Sequence, residues 1–85
     1  MKEARILGIL IQDRIKEAGK TQKLLSENGH LIRSRLGFHE VSENVCSRVG
    51  MIIIQLTGSV DEWNKLEAQL NEIGGIEVKH MKFNL

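Results

Sequence analysis

The chain has 85 residues, a formal net charge of +1 and one cysteine. This length predicts a single domain over residues 1–85, which buries only about 60% of its unfolded surface. The near-neutral charge excludes a general attraction to nucleic acid or to an anionic membrane. One cysteine excludes an internal disulfide, and the apolar run at residues 6–11 is too short to cross a membrane. We therefore expect a cytoplasmic protein without a targeting segment and without nucleic-acid or membrane partners.

The first half of the chain predicts a strand, a helix and a second strand. Residues 5–12 are apolar at both alternating parities, which is typical of a strand covered on both faces. Asp13 is placed to cap a helix that runs to about Asn28, and Gly29 is expected to end it in the left-handed conformation. Residues 30–36 predict an exposed strand, and its two arginines suit a sheet edge.

The second half repeats this order after a connecting segment. Residues 37–47 are polar and predict the loop of a long hairpin, and residues 48–57 predict a second apolar strand. Ser59 and Glu62 have the spacing of a capping box, which opens the second helix. A glycine pair ends that helix, and residues 76–83 predict a last strand with edge-like lysines.

The resulting order, βαββαβ, predicts an α+β fold of the ferredoxin-like kind. Two helices with short connections pack on one face of a four-stranded antiparallel sheet, which gives a two-layer sandwich. The first and third strands are central in this arrangement. They are also the two most apolar strands of the sequence, and the charged strands fall at the edges.

Two helices cover only one face of the sheet, and the side chains of a strand alternate between the faces. We assign one parity of the central strands to the helices: Leu7, Ile9, Ile11, Ile52, Ile54 and Leu56. The other parity is apolar too and predicts an interface that makes the protein a homo-oligomer, a dimer or a tetramer. Its residues are Ile6, Leu10, Val49, Met51 and Ile53. The alternative is a monomer with a partly exposed sheet face.

The residues around the first helix are the candidate binding site for a small-molecule effector. Gln12, Asp13 and Arg14 stand at its start, and Gly29 with His30 follows its end. Helix N-termini offer free N–H groups, and glycine lets a ligand approach the backbone. The alternative is purely structural, because Asp13 can serve as a helix cap and Gly29 as a helix end.

Catalysis and cofactor chemistry have little support in the sequence. No serine stands in a nucleophile-elbow motif, no phosphate-binding glycine loop is present, and no cofactor is predicted. The candidate soft-metal ligands are His39, Cys46 and His80, but their spacing matches no paired metal motif. A surface histidine, a free loop thiol and a hydrogen-bonded core histidine are the ordinary interpretations. We therefore predict no catalytic residue and no metal.

Glycines and apolar strands carry a resemblance to known families. Gln12-Asp13-Arg14, followed by a helix and then by Asn28-Gly29-His30-Leu31-Ile32, forms a run that resembles the ACT-like superfamily. A second set of residues extends over almost the whole chain: Ile6-Leu7-Gly8-Ile9, Asp13-Arg14, Arg35-Leu36-Gly37, Ile52-Ile53-Ile54, Gly58 and Gly75-Ile76-Glu77-Val78-Lys79. In these residues the chain is similar to a small stand-alone family of proposed regulators of the iron-only hydrogenase system. This resemblance implies a regulatory role and no catalytic residues.

The sequence thus favours an oligomerising regulatory module of the ACT-like kind, with an effector site at the first strand–helix loop. The alternatives are a protein-interaction or assembly module without a small ligand, and a metal-responsive regulator. An enzyme is not expected.

Overall fold

The computed structural model describes the backbone of residues 2–41 and 46–85, and their side chains except those of Arg14 and residues 38–48. The elements follow the predicted βαββαβ order and form the ferredoxin-like α+β fold. They are β1 (Glu3–Ile11), α1 (Arg14–Glu27), a 3₁₀ turn (Gly29–Leu31), β2 (Ile32–Val41), β3 (Cys46–Leu56), α2 (Val60–Asn71) and β4 (Ile76–Asn84). Neither α1 nor α2 combines the length and the apolar character that a bilayer crossing requires.

The four strands form one antiparallel sheet in the order β2-β3-β1-β4. The prediction that the first and third strands are central is confirmed. In the register of the sheet, Ile6 lies opposite Gln55 on β3 and opposite Met81 on β4. Because residues directly opposite each other share a face, this register decides which side chains lie together on each side of the sheet.

The hydrophobic core lies between the sheet and the two helices. All six side chains assigned to the helix side are at most 5% exposed: Leu7, Ile9, Ile11, Ile52, Ile54 and Leu56. They pack with Leu25 of α1, Leu31 of the 3₁₀ turn, and three side chains of α2, which are Trp63, Leu66 and Leu70. The parity assignment of the central strands is therefore correct on this face.

Both helices begin where the predicted caps stand. The Asp13 carboxylate accepts a hydrogen bond from the Ile15 backbone N–H at 3.1 Å. Ser59 and Glu62 form the reciprocal capping box of α2. The end of α1 differs from the prediction, because Gly29 has no positive φ and starts the 3₁₀ turn instead. Among the described residues, positive φ angles occur at Gly58 and Gly75.

The hairpin between β2 and β3 is longer than predicted. Residues 37–47 were expected to form a loop, yet β2 continues to Val41 and β3 begins at Cys46, which pairs with Val41. Backbone hydrogen bonds can extend a hairpin without the help of apolar side chains. A polar segment therefore gives no signal in the sequence that the two strands continue through it. The hairpin also passes beyond the end of β1, because Ile11 pairs with Gly50.

Candidate functional site

The predicted effector residues are divided between the two ends of the domain. The Gln12 backbone N–H donates to the Gly75 carbonyl at 2.9 Å, so Gln12 and Asp13 lie where α2 leads into β4. Gly29 and His30 follow α1, whose 14 residues span about 21 Å. The imidazole Nε2 of His30 lies 3.7 Å from the Glu62 carboxylate, at the opposite end. The expected single site is therefore not formed, because α1 runs back along the sheet. The Arg14 side chain lies outside the described residues.

The Gly29 end of the domain contains a cleft of about 680 Å³. It lies between the start of β1, the end of β3 and the first turn of α2. Its lining residues are Lys2, Glu3, Ala4, Arg33, Gln55, Leu56, Thr57, Gly58, Ser59, Val60, Trp63 and Leu85. The side chains of Lys2 and Arg33 bring positive charge to this cleft, and Trp63 and Leu56 bring apolar surface.

The cleft is shaped by the connection between β3 and α2. Gly58 has a φ of +106°, and a Cβ atom there would lie 2.9 Å from a methyl group of Leu31. The indole N–H of Trp63 donates to the Thr57 carbonyl at 2.8 Å, and the Thr57 N–H donates to the Leu31 carbonyl at 2.7 Å. These contacts tie the connection to the end of α1.

The open face, which is the face of the sheet away from the helices, holds all five predicted interface residues. Ile6, Leu10, Met51 and Ile53 are half-buried there, and Val49 is exposed. The register adds three large apolar side chains to this face because of their direct partners on the central strands. These are Leu36 opposite Ile53, Met81 opposite Ile6, and Phe83 opposite Ala4. They are 63%, 55% and 49% exposed.

Sequence reasoning missed Met81 and Phe83, the two added side chains of β4, for an identifiable reason. On β4, Ile76 and Val78 face the helices, whereas Met81 and Phe83 have the opposite parity. The apolar positions therefore change face in the middle of the strand. The sequence contains this change of parity. It was overlooked because the neighbouring lysines made the strand resemble a charged edge strand.

A shallow hollow of about 390 Å³ lies on the open face near β2. Its lining residues are Ile6, Ser34, Arg35, Leu36, Ile53 and Gln55. The Ser34 hydroxyl donates to the Gln55 side-chain carbonyl at 3.2 Å. The lining of the hollow thus combines three aliphatic residues, Ile6, Leu36 and Ile53, with this polar pair and Arg35.

The helix side contains a charged network that the sequence did not reveal. Arg5 is only 6% exposed, and its Nη1 group donates to Asn64 at 2.8 Å and to Glu67 at 2.9 Å. Its Nε group donates to Glu3 at 2.9 Å, and its guanidinium carbon lies 5.6 Å from the centre of the Trp63 ring. The network holds α2 against β1. Its only signal in the sequence was that Arg5, a charged residue, has the same parity as Leu7 and so faces the helices.

Of the three candidate metal ligands, His80 is the one whose side chain lies among the described residues. His80 lies on the helix side of β4, where its Nδ1 atom is 2.9 Å from Glu67. It is hydrogen-bonded as expected, but it is 42% exposed and so lies at the rim rather than in the core. The side chains of His39 and Cys46 lie outside the described residues. No group of three possible metal ligands occurs in the described part of the chain.

Comparisons with known proteins agree with this architecture. Residues 3–80 match the model of the TM1266-like family, which is described as "Iron-only hydrogenase system regulator, putative". A solved structure of the uncharacterized protein TM1266 from Thermotoga maritima is 26% identical and superposes with a TM-score of 0.81. The match covers 98% of this chain and 100% of that chain. No curated protein matches the chain.

Proposed function

Because the chain belongs to the TM1266-like family, we propose that it is a regulatory protein of the iron-only hydrogenase system that acts by self-association through its open face. In this proposal the chain has no catalytic role. The open face is the surface through which the regulator assembles as a homo-oligomer, and a dimer is its smallest form.

The observation that carries this proposal is the continuous apolar surface on the open face. Scattered exposed aliphatic residues are common on monomers, whereas a contiguous apolar patch usually marks an interface. Here the patch extends over all four strands, from Leu36 on β2 to Met81 and Phe83 on β4. Between Ala4 and Leu10 of β1, the described side chains that the register places on this face are uncharged except Glu77 and Lys79 on β4, and the strand alternation brings Lys2 to one end of the face. Interface centres are depleted in charge in the same way.

The open face is also large enough for a stable dimer. Four strands at a spacing of 4.8 Å are about 19 Å wide, and a nine-residue strand is about 30 Å long, which gives a flat footprint of about 570 Å². Side-chain relief raises the accessible area above this footprint. The resulting area approaches the roughly 800 Å² per partner that typical stable interfaces bury.

The test compares two isoleucine-to-aspartate variants by native mass spectrometry and circular dichroism. Ile53→Asp places a charge in the centre of the open face, and we expect folded monomers. Ile15→Asp makes the same chemical change at a side chain that is 71% exposed on α1, and we expect the wild-type mass. The proposal would be refuted by a monomeric wild-type protein, or by an Ile53→Asp variant that keeps the oligomeric state of the wild-type protein. If Ile53→Asp unfolds, Met81→Asp at the edge of the same face replaces it.

A second candidate function, control by a small-molecule effector, is favoured by the cleft beside Gly58. Its volume of about 680 Å³ is within the range of small-molecule sites, about 300–1,000 Å³. Of the residues predicted for an effector, Gly29 and His30 lie at this end. In native mass spectrometry we expect the wild-type protein to carry the mass of a bound small molecule, which is lost on denaturation. Val60→Trp places a larger side chain in the cleft, and we expect this variant to carry no additional mass. A bare native chain would contradict this candidate.

A further inference from the structure

The open face is organised in rows that run across the strands. One row contains Ser34, Gln55, Ile6 and Met81, in the order β2-β3-β1-β4. The next row contains Leu36, Ile53, Gly8 and Lys79. The large exposed side chains of β4 therefore lie at one edge of the sheet, and the hollow lies near the other edge.

We propose that two copies pack open face to open face around a two-fold axis parallel to the strands, with β4 of each copy over β2 of the other. This inference rests on the self-association proposed above and adds its geometry. In a two-fold interface both copies contribute the same patch. Each projecting side chain of that patch must therefore fit a depression in the same patch of the other copy. The rows decide which residues meet, because this axis maps each row onto itself.

The first pair of complementary features is the exposed Met81 and the hollow. Met81 shares its row with Ser34, which lines the hollow. The axis parallel to the strands exchanges the two edges of the sheet, so Met81 of one copy lies over Ser34 of the other. The flexible thioether side chain of methionine fills irregular gaps well, and the walls contributed by Ile6 and Ile53 are aliphatic.

The second pair lies at the centre of the face. Gly8 has no side chain, and a Cβ atom built on it would be in ordinary contact, at 3.9 Å, with the Ile53 Cδ1 atom and the Lys79 carbonyl of the same chain. The same axis places β1 of one copy over β3 of the other, so that Ile53 of one copy lies over Gly8 of the other. Sheets that pack face to face cross at about 30°, so residues far from the centre are displaced from the partners in their row. The pairing of residues by rows is therefore most accurate at this centre.

The charges of the open face are compatible with this axis. Glu77 and Lys79 both lie on β4, which is an edge strand, so they remain at the rim of the interface, and Lys2 lies before the start of β1, at one end of the face. The aliphatic stem of Lys79 covers Leu36 of the other copy, and its ammonium group reaches water past the edge. An axis across the strands would instead lay β4 on β4, which crowds Met81 and Phe83 together and leaves the hollow unfilled.

Cross-linking with a short bis-maleimide distinguishes the two axes. In a Cys46→Ser background, cysteines are placed at Ser34, at Met81, and at both positions. Within one chain these positions are three strand spacings apart, about 14 Å, so a linker shorter than this distance joins them only between copies. We expect covalent dimers from the Ser34→Cys/Met81→Cys protein and none from either single variant.

The other results would separate the geometry from the assembly. A covalent dimer from Met81→Cys alone would support the axis across the strands and overturn this inference. An absence of cross-links in all three proteins, with a dimeric native mass, would overturn the geometry and leave self-association intact. A monomeric mass of the unlinked protein would instead refute the proposed function itself.

Discussion

Removal of the buried Arg5 charge is expected to destabilise the fold strongly. Arg5 contacts two carboxylates, of Glu3 and Glu67, whose side chains are only 12% and 17% exposed. Arg5→Met keeps most of the side-chain volume over Trp63 but leaves both carboxylates without the guanidinium. Breaking a buried ion pair by removing one partner costs about 3–5 kcal/mol. We therefore expect the free energy of unfolding to fall by about this amount.

A double-mutant cycle tests whether the cost arises from the unpaired charge. Glu67→Met removes the second partner, and we expect Arg5→Met/Glu67→Met to lose much less than the sum of the single changes. The measurement is urea unfolding followed by far-UV circular dichroism. It is made at several protein concentrations, because any protein that self-associates in its folded state becomes more stable as its concentration rises. A loss below about 1 kcal/mol for Arg5→Met, or additive changes in the cycle, would refute the reasoning.

Three further substitutions test the packing of the fold by thermal unfolding. Gly58→Ala is expected to lower the free energy of unfolding by about 1–3 kcal/mol, because φ is +106° and the new Cβ atom meets Leu31. Gly19→Ala is its control in α1, where nothing lies within 4 Å, and it is expected to stabilise by about 1 kcal/mol. Leu66→Ala, at a fully buried position, is expected to cost about 2–5 kcal/mol. A neutral Gly58→Ala, a destabilising Gly19→Ala or a tolerated Leu66→Ala would each contradict the packing described here.

The fold could be predicted from the sequence because several local signals agree. The runs that became β1 and β3 are apolar at both parities, which only central strands of this sheet require. The caps at Asp13 and Ser59 set the starts of both helices. A helix or strand is easiest to predict where the local conformational preference of its residues agrees with their burial in the core.

The remaining features depend on contacts that are distant in the sequence. Arg5 meets Asn64 and Glu67, which lie 59 and 62 positions away, and nothing short of the strand register brings them together. The residues predicted for an effector site are separated for the opposite reason. Gln12 and Gly29 flank one helix and are near in sequence, but the length of α1 carries them to opposite ends of the sheet.

The difference between the two faces of the sheet is the reason that we propose self-association rather than a monomer. On the helix side, aliphatic residues such as Ile54 are fully buried, so the monomer itself accounts for them. On the open face, Leu36 and Met81 are more than half exposed, and polar residues there would leave the monomer core unchanged. An 85-residue chain has a marginal core. In the proposed assembly, burial of the open face against a second copy would add apolar contact that the monomer lacks, and the stability of each chain would then depend on its assembly.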